Sequence, residues 1–242
     1  MTDARDLRII ILTSDSIHHC QFVRAVSEHA NVVRVMEERR PFKAAFETRH
    51  AFEDDRDAFE LDRWFGGKNP NLNDLGNVTT YCDLNEPEAV AEMRALNADA
   101  LFVFGTGLLG PEVLSVRPDR IVNMHGADPE KYRGLDTHLW ACYHKDYAAL
   151  VTTMQRAHVD LDRGGVVQRQ PLPIVKGMRL YELRAANTET SIELALNGLN
   201  MLAHYDQFIS QPQRYVGRLY SHMPAVLKDR ALDNFERWTA SL

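Results

Sequence analysis

The sequence predicts an α/β fold: a Rossmann-like, mostly parallel sheet with helices on both faces and a small C-terminal extension. Short apolar runs recur at residues 7–12, 98–104 and 121–125, and each ends in polar or turn-forming residues. The first of them is rich in β-branched residues. Amphipathic segments of helical length lie between them, and strands that alternate with helices are typical of a parallel sheet. The composition agrees, since 45% hydrophobic and 26% charged residues are ordinary for a globular domain.

The first elements of the chain are a strand, a helix and a second strand. Residues 7–12 read LRIIIL and lead into the polar loop TSDS at 13–16, which predicts a buried strand. Residues 17–30 place their apolar side chains on one stripe and predict a helix. Residues 31–36, NVVRVM, predict the next strand.

Residues 37–67 interrupt this alternation and predict an inserted, mostly helical segment. The stretch is dense in charge, and its aromatic residues are Phe42, Phe46, Phe52, Phe59, Trp64 and Phe65. Aromatics at helical spacing favour a solvated helix with one apolar stripe over the alternative of a lid or a subunit contact. Exposed aromatics here would allow a homodimer. The run GGKNPN at 66–71 ends the segment.

The remaining elements continue the α/β pattern. Asn85 and Glu88 predict a capped helix start, with the helix running to about residue 96. Further strands are predicted over residues 78–82, 98–104, 121–125, 151–156 and 165–173, and further helices over 190–208 and 226–238. We therefore expect a catalytic domain over residues 1–176 and a helical extension over 177–242 that packs on the same domain.

Charge and cysteine content exclude some classes of protein. The formal net charge is −6, so a basic nucleic-acid-binding face is not expected, although a small phosphorylated ligand is allowed. Cys20, Cys82 and Cys142 form no CxxC pair, which predicts reduced thiols. The first apolar run is too short for a signal peptide or a membrane span. We expect a cytoplasmic protein that binds neither nucleic acid nor membrane.

Chemistry-bearing residues cluster where the predicted strands end. In open α/β sheets ligands bind at the carboxyl ends of strands, here residues 14–16, 105–107 and 123–125. Asn123 and His125 alternate along one strand and should project to the same side. A glycine-ended turn at 160–165 adds Asp162. An amide, an imidazole and a carboxylate suit acyl transfer to an amine, because they can stabilise an oxyanion and exchange protons near neutral pH.

An Asn-x-His pair alone is more often structural than catalytic, but three blocks in the right order resemble the folate-dependent formyltransferase family. Residues 123–134, NMHGADPEKYRG, resemble its Asn-x-His signature and the loop that follows. Residues 104–113, FGTGLLGPEV, resemble the segment that lines its formyl-folate pocket. Residues 152–164, TTMQRAHVDLDRG, resemble its Thr-x-x-His…Leu-Asp-x-Gly block.

The resemblance implies the formyltransferase fold, 10-formyltetrahydrofolate as co-substrate and no metal. It implies that Asn123 polarises the formyl carbonyl, His125 acts as acid and base, and Asp162 relays the proton. By the same resemblance the folate is bound by Thr106, Gly107, Leu108, Leu109, Val159, Asp160 and Leu161, with backbone groups of Gly107 and Leu109 facing the pterin.

The chain departs from the family pattern at two places. Ala127 stands where the family usually has a serine, so a hydroxyl contact there is lost. Gln155 stands where the family commonly has a supporting histidine, and His158 is a second candidate for that supporting role.

The acceptor implied by the resemblance is an amine of a nucleotide-linked amino sugar. The insertion and residues 217–224 resemble formyltransferases of bacterial surface polysaccharide synthesis. We expect the acceptor to contact Ser14, Ser16, Tyr132, Arg133 and His138. A glycinamide-ribonucleotide-type formyltransferase, a formyltetrahydrofolate hydrolase and a non-enzymatic binding protein are the alternatives.

Overall fold

The structure is a computed structural model that describes residues 3–40 and 44–242. The described residues form nine strands: β1 (Arg8–Thr13), β2 (Asn31–Glu38), β3 (Val78–Tyr81), β4 (Ala100–Phe104), β5 (Ile121–His125), β6 (Tyr132–Gly134), β7 (Val151–Arg156), β8 (Val166–Pro171) and β9 (Arg218–Tyr220). Their α-helices are α1 (Ile17–Ser27), α2 (Phe52–Phe65), α3 (Pro87–Leu96), α4 (Pro111–Leu114), α5 (Thr137–His144), α6 (Leu183–Tyr205) and α7 (Ala225–Ala240).

Seven of the strands form one sheet in the order β3-β2-β1-β4-β5-β7-β8. Neighbouring strands among β3, β2, β1, β4 and β5 are parallel. Strand β7 runs antiparallel to β5, and β8 runs antiparallel to β7. The mostly parallel, Rossmann-like α/β fold predicted from the sequence is confirmed. The predicted strands of this sheet agree with the structure to within two residues at each end.

Alternating side chains of the central strand build the two apolar layers that cover the sheet. Ile9 and Ile11 enter one core cluster with Phe102, whereas Ile10 and Leu12 enter another. All four strand residues are fully buried. A strand buried on both faces needs apolar residues at consecutive positions, which explains the unbroken run in the sequence.

Helix α6 begins at Leu183, so the predicted start at residue 190 is wrong. Thr190 and Ser191 read as a helix start because such residues favour caps, but both lie buried inside the helix. The Ser191 hydroxyl donates to the Asn187 carbonyl one turn back (2.8 Å), as the Thr188 hydroxyl does to the Arg184 carbonyl (2.9 Å). Leu199 of this helix is fully buried in the same cluster as the sheet residues Ile9 and Ile11, so residues of the predicted extension complete the central core.

The inserted segment is shorter and less helical than residues 37–67 suggest. Glu37 and Glu38 complete β2 and are buried, and the helix itself is α2. Phe42, counted above among its aromatics, lies outside the described residues. On α2 the buried residues are Phe52, Glu60 and Trp64, and the helix packs against α1 and the start of α6.

Asn85 does not cap a helix, contrary to prediction. Helix α3 begins at Pro87 and its cap position is Glu86. The Asn85 side chain instead reaches the loop after β4, where its amide nitrogen donates to the Leu108 carbonyl (2.9 Å) and its oxygen accepts from the Gly110 N–H (2.5 Å). An asparagine side chain has both a donor and an acceptor, so it can bind the backbone of a distant loop as well as cap its own helix. The local sequence pattern is the same in both cases.

A small second sheet lies beside the carboxyl end of β5. Strand β6 pairs in parallel with β9, which brings residues 217–224 over the loop that follows β5. No periodic pattern predicts this pair, because each strand has only three residues. Within residues 3–40 and 44–242, no helix has the length and apolarity that a membrane crossing requires.

We expect Leu199→Ala to destabilise the whole domain, because the side chain is fully buried between α6 and the sheet. Truncating a buried leucine costs about 2–5 kcal/mol of unfolding free energy. Chemical denaturation would measure it. Asn197→Ala, on an exposed position of the same helix, is the control and should change stability by less than about 0.5 kcal/mol. Equal effects of the two changes would contradict the packing of α6.

Candidate active site

His125 lies at the end of β5 with its ring held in one orientation. Its side chain is 5% exposed, and Nε2 lies 2.8 Å from the carbonyl oxygen of Tyr132. A carbonyl only accepts hydrogen bonds, so Nε2 carries the hydrogen in this contact. Nδ1 is therefore the nitrogen that is left to gain or lose a proton.

Asp162 faces that nitrogen. Its Oδ1 atom is 3.3 Å from His125 Nδ1. Oδ1 also accepts from Gln155 Nε2 (2.9 Å), and Oδ2 accepts from the Gly134 N–H (2.8 Å). The carboxylate is buried, and donors from two separate strands fix its direction.

Glycine at two positions makes this placement sterically feasible. A Cβ atom on Gly164 would lie 1.6 Å from the Arg156 carbonyl oxygen, so the turn after Asp162 passes too close to β7 for any side chain. Gly134 has φ +92°, and a Cβ atom there would lie 2.1 Å from the Tyr220 carbonyl oxygen. Asp162 itself adopts the left-handed conformation at φ 54°, which aspartate tolerates better than most residues.

Asn123, Asp162 and Leu161 lie in the wall between two adjoining cavities. The larger cavity has a volume of about 300 Å³ and is also lined by His125; the smaller has about 50 Å³ and is also lined by Gln155. The Asn123 amide is half-buried and forms no hydrogen bond within the described part of the chain. It is therefore available to a ligand at the junction.

The smaller cavity is where the predicted folate segment lies. Thr106, Gly107, Leu108, Leu109 and Leu161 line it, whereas Val159 and Asp160 lie on the exposed side of the neighbouring loop. Val159 is 44% exposed.

The Gly107 backbone, which the family resemblance places against the pterin, already has its N–H bound within the protein. The Gly107 N–H donates to the buried carboxylate of Glu38 at 2.5 Å, and the second oxygen of Glu38 accepts from the Leu84 N–H at 3.3 Å. Together with the Asn85 bridge, this bond fixes the loop after β4. Glu38 thus positions the loop, a role that its sequence context did not indicate.

Of the five predicted acceptor contacts, only His138 lines the larger cavity. The Ser14 and Ser16 hydroxyls instead contact the imidazoles of His18 and His19, which line the cavity in their place. Serines just before a helix predict ligand contacts, but here the histidines of the first helical turn lie between the serines and the cavity.

Tyr132 and Arg133 hold the loop rather than face the cavity. The Tyr132 ring stacks on Tyr220 with centroids 5.4 Å apart, and its side chain is buried. Arg133 donates to the carbonyls of Gly217 (2.7 Å) and Leu161 (3.1 Å), which ties residues 217–224 to the loop that carries Asp162.

Three further histidines of the larger cavity are held neutral. Burial, followed by the charge of Arg184, lowers the pKa of His19 to about 3. Burial also lowers the pKa of His138 to about 4, although its Nε2 contacts the Val151 carbonyl. The pKa of His18 is lowered well below its ordinary value, first by burial and then by His19, Arg184 and Arg56.

The cavity also contains residues that sequence reasoning missed. Arg56 comes from α2, and Arg184 and Asn187 come from α6. No local motif distinguishes these residues from ordinary polar residues on a helix surface. They reach the site only because both helices pack beside the carboxyl end of the sheet. No group of three or more possible metal ligands occurs in the part of the chain that the structure describes.

Gln155, not His158, supports Asp162. Gln155 is 1% exposed and donates to the carboxylate, while His158 is exposed and contacts the backbone of Asp160. Gln213 extends the network by donating to the carbonyls of Asp162 (2.9 Å) and Gly164 (2.8 Å).

Gln155→Glu tests this contact without an activity assay. It would place two carboxyl groups at hydrogen-bond distance in a buried site, so the folded state would have to bind a proton that the unfolded state releases above about pH 4. Stability relative to the unchanged protein should therefore fall as pH rises from 5 to 8, by about 1–3 kcal/mol. Thermal unfolding at several pH values measures this. His158→Gln is the control, and a pH-independent effect of Gln155→Glu would contradict the contact.

The family model described as Formyl transferase matches residues 7–199. A methionyl-tRNA formyltransferase of Xylella fastidiosa is 29% identical over 148 residues, which are 61% of this chain and 48% of that protein. The chain thus spans about half the length of the curated relatives it matches.

Two solved structures share the fold. The formyltransferase PseJ from Anoxybacillus kamchatkensis, in complex with UDP-4,6-dideoxy-4-formamido-L-AltNAc and tetrahydrofolate, has a TM-score of 0.54 and 14% identity, covering 88% of this chain and 85% of that one. Glycinamide ribonucleotide transformylase 1 from Symbiobacterium toebii has a TM-score of 0.59 and 16% identity, covering 89% and 95%. Such identities show the fold alone. With the family model matching most of the chain, the protein belongs to the formyl transferase family.

Proposed function

We propose that this protein transfers a formyl group from 10-formyltetrahydrofolate to the amine of a nucleotide-linked amino sugar. One observation carries the proposal. Asn123 and Asp162 lie in the wall shared by two cavities, with His125 beside them, so a donor in the smaller cavity and an amine in the larger one would meet at the same three side chains.

The three side chains have separable tasks. Asn123 can donate its uncommitted amide N–H to the formyl oxygen as negative charge develops there, a contribution of about a hundredfold to a thousandfold in rate for one such donor. Asp162 and His125 Nδ1 together can take the proton that the amine loses when its nitrogen bonds to the formyl carbon. The same proton can then be returned to the folate nitrogen as its bond to that carbon breaks.

The types of residue that line the smaller cavity suit the binding of a folate ring. The cavity is lined by apolar side chains of Val103, Leu109 and Leu161 together with backbone polar groups of the loop after β4. Its volume of about 50 Å³ is below the usual range for a ligand of this size. We therefore expect the exposed side chains of Leu108 and Leu161 to move apart when folate binds.

The nucleotide-linked sugar is the finer part of the proposal. It is supported by the structural similarity to PseJ, which was solved in complex with a UDP-linked formamido sugar and tetrahydrofolate. A glycinamide-ribonucleotide-type activity is the second candidate, favoured by the match over 95% of the Symbiobacterium enzyme's length.

The homodimer stays a prediction. Cys20, Cys82 and Cys142 are free thiols, which supports a cytoplasmic location as part of the same proposal.

A screen of amines with 10-formyltetrahydrofolate tests the function. Aminosugar nucleotides and glycinamide ribonucleotide are incubated separately, and a product mass gain of one formyl group is sought. Gain on an aminosugar nucleotide supports the proposal. Formate release at the same rate without any amine would indicate a hydrolase, and folate binding without turnover on any amine would indicate a binding protein.

His125→Ala should lower the transfer rate by about 10²–10⁴, because it removes the imidazole that exchanges the proton beside Asp162. Folate affinity should stay within about threefold, since His125 does not line the smaller cavity. Steady-state rates and folate titration measure the two effects. His204→Ala, an exposed histidine at the end of α6, should leave both values unchanged. A transfer rate unaffected by His125→Ala would exclude the assigned role.

Asp162→Asn should reduce kcat far more than it weakens binding of either substrate. Asparagine keeps the size of the side chain, tolerates the left-handed backbone, and can still accept from Gly134, but it cannot take up the proton. The ratio of the kcat effect to the KM effects separates the roles. Losses of similar size in kcat and in folate binding would show that Asp162 only holds the loop.

A further inference from the structure

Two arginines are clamped side by side at the edge of the larger cavity. Arg56 from α2 and Arg184 from α6 both line it. The Oδ1 atom of Asp57 joins them, accepting from Arg56 Nε (3.1 Å) and Nη2 (3.0 Å) and from Arg184 Nη2 (2.9 Å). Glu60, which is fully buried, fixes the other edge of Arg184 through two bonds of 2.7 and 2.6 Å.

These contacts leave N–H groups of both guanidiniums without a partner among the described residues, because each Nη atom carries two hydrogens. Arg184 Nη1 has no partner among the described residues, and Arg56 Nη1 reaches only Glu53, at 3.4 Å. The carboxylates of Glu53, Asp57 and Glu60 do not belong to the cavity lining, which includes both arginines. The acidic groups therefore hold the guanidiniums from outside while N–H donors remain toward the cavity.

His18 adds a third donor. The Ser14 hydroxyl gives its hydrogen to the Gly105 carbonyl (2.9 Å), so its contact with His19 Nδ1 (3.1 Å) requires the hydrogen on that ring nitrogen. Ser16, which contacts both rings, can then accept from His19 Nδ1 and donate to His18 Nδ1 (2.7 Å). The neutral His18 ring consequently carries its hydrogen on Nε2.

The cavity is electrically polarised as a result. Its charged lining consists of Arg56 and Arg184 together with Asp136 and Asp162. Asp136 has Lys228 at 3.9 Å and accepts from the Met223 N–H, whereas Asp162 faces the proposed reaction centre. An amine bound near Asp162 would thus belong to a molecule whose anionic part can lie against the arginines.

We infer that Arg56, Arg184 and His18 bind a phosphoryl group of the acceptor, so the natural amine substrate is a phosphorylated compound. The inference deepens the proposed function and rests on it for the identity of the amine. Three donors from three helices suit a tetrahedral phosphoryl group with several free oxygens, whereas a planar carboxylate offers only two oxygens in one plane.

Binding of inorganic pyrophosphate and of UDP to the whole chain tests the inference without any formyl donor. Calorimetric titration should show Arg56→Gln weakening both ligands about tenfold or more. Arg63→Gln, on the same helix but paired outward with Glu189, should leave both affinities unchanged. At position 184 the variant is Arg184→Lys, because a neutral residue would leave the buried carboxylate of Glu60 without a cation. Arg184→Lys should also weaken binding of both ligands, because lysine lacks the planar set of N–H donors of a guanidinium.

Three results would overturn the inference: no binding of pyrophosphate or UDP at millimolar concentration, equal binding by the Arg56→Gln and Arg63→Gln variants, or binding of acetate and succinate as tight as that of pyrophosphate. Transfer assays separate it from the proposed function. If no amine is formylated but ligand binding depends on Arg56, the phosphoryl site stands and the transfer activity fails. If amines with and without phosphate are formylated with equal kcat/KM, the activity stands and the phosphoryl site fails.

Discussion

The site depends on one polar contact, the approach of the Asp162 carboxylate to His125 Nδ1 at 3.3 Å. Hydrogen bonds with three neighbouring residues hold the two buried side chains in that relation. The Tyr132 carbonyl fixes one ring nitrogen of His125, which leaves the other toward Asp162. Gly134 and Gln155 fix the carboxylate. Groups placed this way meet a substrate without rearrangement, and displacement by about 1 Å can cost about a hundredfold in rate.

Polar side chains also fix the loop beside the smaller cavity, and they come from elements that have no other part in the site. Glu38 ends β2 and Asn85 precedes α3, yet both bond to backbone groups of the loop after β4. Loops at the carboxyl ends of strands lack ladder partners for their backbone. Side chains from neighbouring connections supply them, which keeps the wall of the smaller cavity in place.

The acceptor side of the larger cavity is built differently, from two helices that the sheet brings together. Helix α2 belongs to the segment between β2 and β3, and α6 covers one face of the sheet far along the chain. Asp57 joins their arginines into one unit. Charge, rather than backbone geometry, therefore distinguishes this end of the cavity from the end at Asp162, and the phosphorylated acceptor that we propose rests on that difference.

The sequence alone determined the sheet, because runs such as residues 7–12 must be buried on both faces and can be little else than central strands. It also determined that Asn123 and His125 share one side of β5, since alternation is a local property of a strand. Its errors came where one residue type serves two purposes: Asn85 as a loop clamp rather than a cap, Thr190 and Ser191 inside a helix rather than at its start, and Ser14 and Ser16 behind histidines rather than at the cavity. The tertiary structure decided the rest. The bond from the Gly134 N–H to Asp162, the engagement of Glu38 with Gly107, and the pairing of Arg56 with Arg184 through Asp57 all join residues far apart in the chain. Such contacts leave no periodic or local trace, because they arise only when packed elements meet.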